Sequence, residues 1–288
     1  MNSTPNKLIS KSKAAGAFTF VELLVVIATL GLLAMMILPA LAKTGSNTQA
    51  FQCLNNLRQI QHGWLIYSAD NNDRIVPTVG QGALQVSLLP NPYTDPGNPE
   101  NKWIYGDVSV VSASINVNLL KLGLIFPYIP NVTVFKCPAD PRTQNFLFGG
   151  GGPPTVRSIS MNGYMSPIVD NVQTSTAPLN SKYRIFRKQS DLAVIGSANC
   201  WVMLDENPYS INDGWFCVDP SPTASNWIDK PAAYHNNSCG LSFADGHCEL
   251  QRWRDGNLIA YKGSGTGVIA QAGVGDLTWL GQRTSILK

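Results

Sequence analysis

Residues 18–42 read FTFVELLVVIATLGLLAMMILPALA, an apolar run with one charged side chain, Glu22. As a helix rising ~1.5 Å per residue it would be roughly 37 Å long, enough for a ~30 Å hydrocarbon core. Lys7, Lys11 and Lys13 precede the run and Lys43 alone stands directly after it. That asymmetry predicts a cytoplasmic N-terminus and an exported remainder. A secretory signal peptide could cleave at Ala40-Leu41-Ala42, but its apolar core spans only about 7–15 residues. A plain signal anchor accounts for the length and not for the carboxylate, which costs ~2.5–3.5 kcal/mol on insertion scales and marks function by default.

Outward from this run, the 288-residue chain is 44% hydrophobic and only 14% charged, which excludes global disorder. Its net charge of +3 resides in the three leader lysines; after them, basic and acidic side chains are equal in number. A nucleic-acid binder needs clustered Lys and Arg to displace phosphate counterions, and no such cluster occurs. Nucleic acid is therefore not an expected partner.

The residues Ala17-Phe18-Thr19-Phe20-Val21-Glu22 resemble the N-terminal signal of type IV pilins and type II secretion pseudopilins. With Phe18 as first mature residue, Glu22 stands fifth, Gly31 fourteenth and Pro39 twenty-second, each matching the family pattern. The resemblance implies that a prepilin peptidase cuts between Ala17 and Phe18 and that Phe18 is N-methylated. The family usually has Gly where this chain has Ala17. It further implies that Glu22 pairs with a neighbouring subunit's N-terminal amine during assembly. Gly31 and Pro39 suit a helix that bends or loosens.

Beyond Lys43, Phe51, Leu54, Leu57, Ile60 and Trp64 recur at helical spacing among Gln52, Asn55, Arg58 and Gln59. Asp70-Asn71-Asn72-Asp73 closes the helix with turn chemistry. The stretch Cys53 to Ile60 also resembles the segment just after the apolar helix in large pilin-like proteins. Candidate strands are 103–105, 132–136, 157–161, 192–204, 240–244 and 247–253, separated by Pro- and Gly-rich loops. The expected architecture is α+β and pilin-like: a long N-terminal helix, transmembrane in its first half, packed on an antiparallel sheet in a loop-rich domain. Its parts would be a leader (1–17), a transmembrane assembly helix (18–42), an exposed continuation (43–72) and a β-rich exported domain (73–288).

Near the C-terminus, His235 and Asp245-Gly246 are separated by nine residues, with His247 directly after. This resembles the H-x9-DG motif (235–246) of a prepilin-associated family, as do the segments 135–140 and 157–162. Physically, Asp245-Gly246 between apolar alternations predicts a two-residue hairpin turn with positive φ at both residues. The turn leaves His235 and His247 unexplained. They and Asp245, with Asp205 and Glu206 from another strand end, are candidate metal ligands. Carboxylates and carbonyls would take Ca²⁺, two histidines Zn²⁺.

Six cysteines allow fifteen disulfide connectivities. A turn at 245–246 sets Cys239 opposite Arg252 and Cys248 opposite Phe243, about 13 Å apart along the hairpin, which disfavours that pair. Cys53–Cys137 is the candidate disulfide, clamping helix to domain; buried free thiols are the alternative. No nucleophile elbow or phosphate loop is present, so no enzyme is expected.

The function expected is a pilin-like filament subunit of a type II secretion or type IV pilus-like system. Its partners would be the prepilin peptidase, copies of itself or other pseudopilins, an inner-membrane assembly platform and lipid. It would sit in the inner membrane as a single-pass protein with a periplasmic domain before assembly. The alternative is a surface-displayed adhesin or glycan-binding module using exposed Trp and Tyr.

Overall fold

A computed structural model describes residues 19–78, 102–167, 182–263 and 268–288, with the side chains of 34–47 left aside. Ala17 and Phe18, expected as the processing residues, lie outside these residues, as does the side chain of Pro39. The chain divides into two compact units, Met1–Gly45 and Ser46–Lys288.

Helical backbone, α1, runs over Phe20–Asp70. The long apolar, membrane-crossing helix expected at its start is not found among the described residues. Among the described residues no helix is long and apolar enough to cross a membrane. The transmembrane first half and the single-pass inner-membrane placement are overturned with it.

The start of α1 has a local explanation that the sequence already contains. Thr19-x-x-Glu22 is a capping box. Glu22 Oε2 accepts from the Thr19 amide and hydroxyl, both at 2.8 Å, and Thr19 Oγ1 accepts from the Glu22 amide at 3.2 Å. The Thr19 amide, then its hydroxyl, hold the Glu22 carboxyl below the usual range. Gly31 has no neighbour within 4 Å of where a Cβ would stand.

In the larger unit the second part of α1 buries a stripe of Cys53, Leu57, Ile60, Trp64 and Tyr67, with Asn56, Gln61 and Ser68 beside it. These positions recur at three- and four-residue steps, one face of a helix. The stripe differs from the expected one at its start: Phe51 is exposed and Leu54 only half-buried. The helix ends at Asn71-Asn72-Asp73, where Asn72 and Asp73 take positive φ.

Strands β1 (Ile159–Asn162), β2 (Trp201–Asp205), β3 (Trp215–Phe216), β5 (Ser238–Phe243) and β6 (Cys248–Arg252) form one sheet in the order β3-β1-β2-β5-β6. Strand β4 (Asn226–Trp227) pairs with β7 (Val268–Ile269) in a second. The fold is α+β, but the main sheet is mixed and not antiparallel, because β1 and β3 run parallel. Of the expected strands, 103–105 is not a strand, and 132–135 and 189–194 are 3-10 turns. Helices α2 (Val117–Lys121), α3 (Gly256–Ile259) and α4 (Asp276–Gln282) are short. The Asp255 carboxylate caps α3 by accepting from Asn257 and Leu258 amides, and it also accepts from the Trp227 indole at 2.9 Å.

The β5–β6 hairpin corrects the turn prediction. Phe243 N–H donates to His247 O and Gly246 N–H to Phe243 O, so the loop is three residues long, and only Gly246 (φ 101) is left-handed. That is the type I turn plus bulge of three-residue hairpins. Ser242 therefore faces Cys248 and Cys239 faces Gln251. The two-residue positive-φ turn occurs instead at Asn236-Asn237 (φ 54 and 63), where His235 and Ser238 exchange both backbone hydrogen bonds. Asn tolerates this conformation better than other non-glycine residues.

Candidate metal centre

Four elements of the larger unit converge on one buried cluster. Cys53 projects from α1. Cys137 comes just after the 3-10 turn Val132–Phe135. Asp205 ends β2, where its carbonyl accepts from the Ala232 amide. His235 opens the Asn236-Asn237 turn before β5. One donor atom from each lies within 4.8 Å of every other, a set that could hold a metal ion. The residues are between 0% and 5% exposed.

Their contacts are direct. The Cys53 thiol meets Asp205 Oδ2 at 2.7 Å, and Cys137 Sγ meets His235 Nε2 at 3.2 Å. Ser158, just before β1, donates its hydroxyl to Asp205 Oδ1 at 2.8 Å and accepts the Cys137 amide at 2.7 Å. The Ala139 amide donates to Cys137 Sγ at 3.4 Å. Such partners fix ligand orientation in metal sites. Gly240 on β5 leaves the floor open: a Cβ there would stand 3.0 Å from Cys53 Sγ and 3.4 Å from Asp205 Oδ2.

Burial and the contacts among the four side chains set the protonation of the cluster. Asp205 is pushed up to about 7 by burial, against the hydrogen bonds from Cys53 and Ser158. The Cys53 thiol is raised by its contact with Cys137 and by burial. Cys137 is pulled down by Cys53, but burial and the neighbouring carboxylates leave it raised overall. Burial lowers His235 and so favours the neutral imidazole, the form that binds metals. All four shifts run toward the uncharged form, because isolated charges are costly in a dry interior.

Two of the five residues expected as metal ligands, Asp205 and His235, meet here. Asp245 and His247 pair with each other at 2.6 Å (Asp245 Oδ1 to His247 Nδ1) on the exposed hairpin tip. Glu206 points away from the cluster, accepting from Ser160 at 2.6 Å and Ser210 at 2.7 Å. Asp205 and Glu206, on either side of the end of β2, thus serve separate surroundings. Cys53 and Cys137, expected as a disulfide, come together as free thiols and join the same cluster. No spacing rule would have found this set, since its members lie on four separate elements.

The glycan-binding alternative relies on exposed Trp and Tyr, and no described tyrosine is exposed. Six of the seven tryptophans are buried, and the half-buried Trp279 is covered by the Arg283 guanidinium at 4.2 Å from its ring centroid. Comparison of the chain with protein-family models, with curated proteins and with solved structures gives no match.

Proposed function

We propose that the chain is a pilin-like filament subunit, processed by a prepilin-type peptidase before Phe18 and assembled through its N-terminal segment with copies of itself or related subunits. The observation that supports this is the surface of 20–33. Phe20, Val21, Leu23, Leu24, Val25, Val26, Ile27, Leu30, Leu32 and Leu33 are all exposed, on every side of the helix. A helix that is apolar all round requires burial, and a bundle of like helices supplies it. Glu22, at the capped end of this surface, is the acid available to a neighbour's new N-terminal amine.

On this reading the buried cluster belongs to the subunit's structural part. Of Ca²⁺ and Zn²⁺, two sulfurs and an imidazole favour Zn²⁺, since Ca²⁺ takes oxygen ligands.

N-terminal mass analysis of the mature protein tests the proposal, with N-methyl-Phe18 as the expected first residue. Intact Met1, or a start at Lys43, overturns it. In the processed protein, Glu22→Ala should abolish filaments seen by electron microscopy while the tryptophan fluorescence of the larger unit stays unchanged.

A further inference from the structure

We infer that Cys53, Cys137, Asp205 and His235 form a closed four-ligand Zn²⁺ site that clamps the second part of α1 to the sheet. This rests on the zinc reading of the cluster.

The donor set is that of a structural zinc centre. Four-coordinate zinc has Zn–S near 2.3 Å and Zn–N or Zn–O near 2.0–2.2 Å, which places neighbouring donors roughly 3.2–3.8 Å apart. The donor atoms here lie 2.7 Å and 3.2 Å apart in two contacts and within 4.8 Å in all. That range brackets the tetrahedral spacing, so side-chain shifts of about 1 Å suffice for coordination. Two thiolates and an imidazole are poor ligands for hard cations. All four positions are filled by protein, which leaves none for water or substrate and makes the centre structural, not catalytic.

The surroundings are built around the ligands. Ser158 bridges two of them, donating to Asp205 Oδ1 and accepting from the Cys137 amide. The Ala139 amide is aimed at the Cys137 sulfur. The Asn236-Asn237 turn presents His235, and the absent side chain of Gly240 clears the approach to Cys53 and Asp205. A disulfide between Cys53 and Cys137 would use neither the carboxylate nor the imidazole, yet both are buried against the sulfurs. Zinc uses all four.

The consequence concerns α1. Only Cys53 comes from the helix; the other three ligands come from the loop after 132–135, the end of β2 and the turn before β5. Metal binding therefore joins the helix to the sheet at one point, and for such sites binding free energy is folding free energy.

The test uses the full chain purified under reducing conditions. Metal analysis and native mass spectrometry should find one Zn²⁺ per chain, lost in Cys53→Ser and in His235→Ala. Because those variants could unfold, the wild-type chain is also loaded with Co²⁺, which should show thiolate-to-cobalt charge-transfer absorption and tetrahedral ligand-field bands. Hydrogen exchange is then compared before and after chelation. Amides of 53–67 should exchange at least about tenfold faster without zinc. A wild-type chain without zinc and without the cobalt spectrum overturns the zinc reading and the clamp together, as does a mass two hydrogens lower, the oxidised dithiol. Stoichiometric zinc with unchanged exchange at 53–67 overturns the clamp alone. Neither result bears on filament assembly, which is read from the N-terminal mass.

Discussion

Gly240→Ala is a sensitive probe of how α1 meets the sheet. The added methyl would stand 2.6 Å from Leu57 Cδ1 and 3.0 Å from Cys53 Sγ, well inside the ~3.5–4.0 Å separation of carbon atoms in contact. Overpacking of this kind typically costs about 1–3 kcal/mol. Replacing glycine in a strand returns roughly 0.5–1 kcal/mol through the unfolded chain, so a net loss of about 1–2 kcal/mol is expected. Leu57→Ala alone, at a fully buried site, should cost about 2–5 kcal/mol through the cavity it leaves. In the double variant the new methyl occupies part of that cavity, and the clash with Cδ1 disappears. The double variant should therefore be more stable than the sum of the singles predicts, by about 1–2 kcal/mol. The assay is urea unfolding monitored by tryptophan fluorescence, under one fixed metal condition. Every tryptophan lies in the larger unit, so the signal reports that unit alone. Strict additivity within about 0.3 kcal/mol would refute the proposed contact.

Two further predictions concern buried charge. Asp229 accepts the Cys217 amide at 2.7 Å and is pushed up to about 7, chiefly by burial. Its folded pKa exceeds its unfolded value near 3.8, so the folded state holds the proton more tightly. Its stabilising contribution is therefore complete below about pH 4 and lost as pH rises to about 7, by at most roughly 4 kcal/mol. Asp229→Asn keeps an acceptor for Cys217 and should flatten urea midpoints over that window; an unchanged slope contradicts this. Arg157 is fully buried, and its guanidinium donates to the carbonyls of Ile159 at 2.9 Å and Asn212 at 2.7 Å. The Asn212 carbonyl also accepts from the Val108 amide at 2.9 Å, so Arg157→Met removes the side-chain donor from both carbonyls but leaves that of Asn212 partnered. It should destabilise by about 1–3 kcal/mol, whereas a loss under about 0.5 kcal/mol in thermal unfolding would show that the network is dispensable.

Periodicity and turn chemistry make several features legible. Leu57, Ile60 and Trp64 mark the buried face of α1 because helical side chains three and four apart share a face. Alternation around Ala244–Gly246 marks the β5–β6 hairpin. Thr19-x-x-Glu22 is equally local, a capping box that gives the carboxylate at the start of the apolar run a partner within one helical turn. The turns mislead where local chemistry allows two answers. Asp-Gly suits a two-residue turn, but the pairing of Phe243 with His247 makes the loop three residues long. Asn236-Asn237 takes the two-residue turn instead.

The sequence by itself determined an α+β chain, balanced in charge beyond Lys7, Lys11 and Lys13, with a helix of one apolar face and a C-terminal hairpin. Each of these comes from composition or from spacing within a single element. Only the tertiary structure decided that β3 adds to β1 in parallel, and that the expected disulfide pair and two of the expected metal ligands are one cluster. Cys53, Cys137, Asp205 and His235 are separated by long stretches of chain. Their meeting depends on the packing of α1 against β5 and on the sheet order that sets β2 beside β5, neither of which any local pattern encodes.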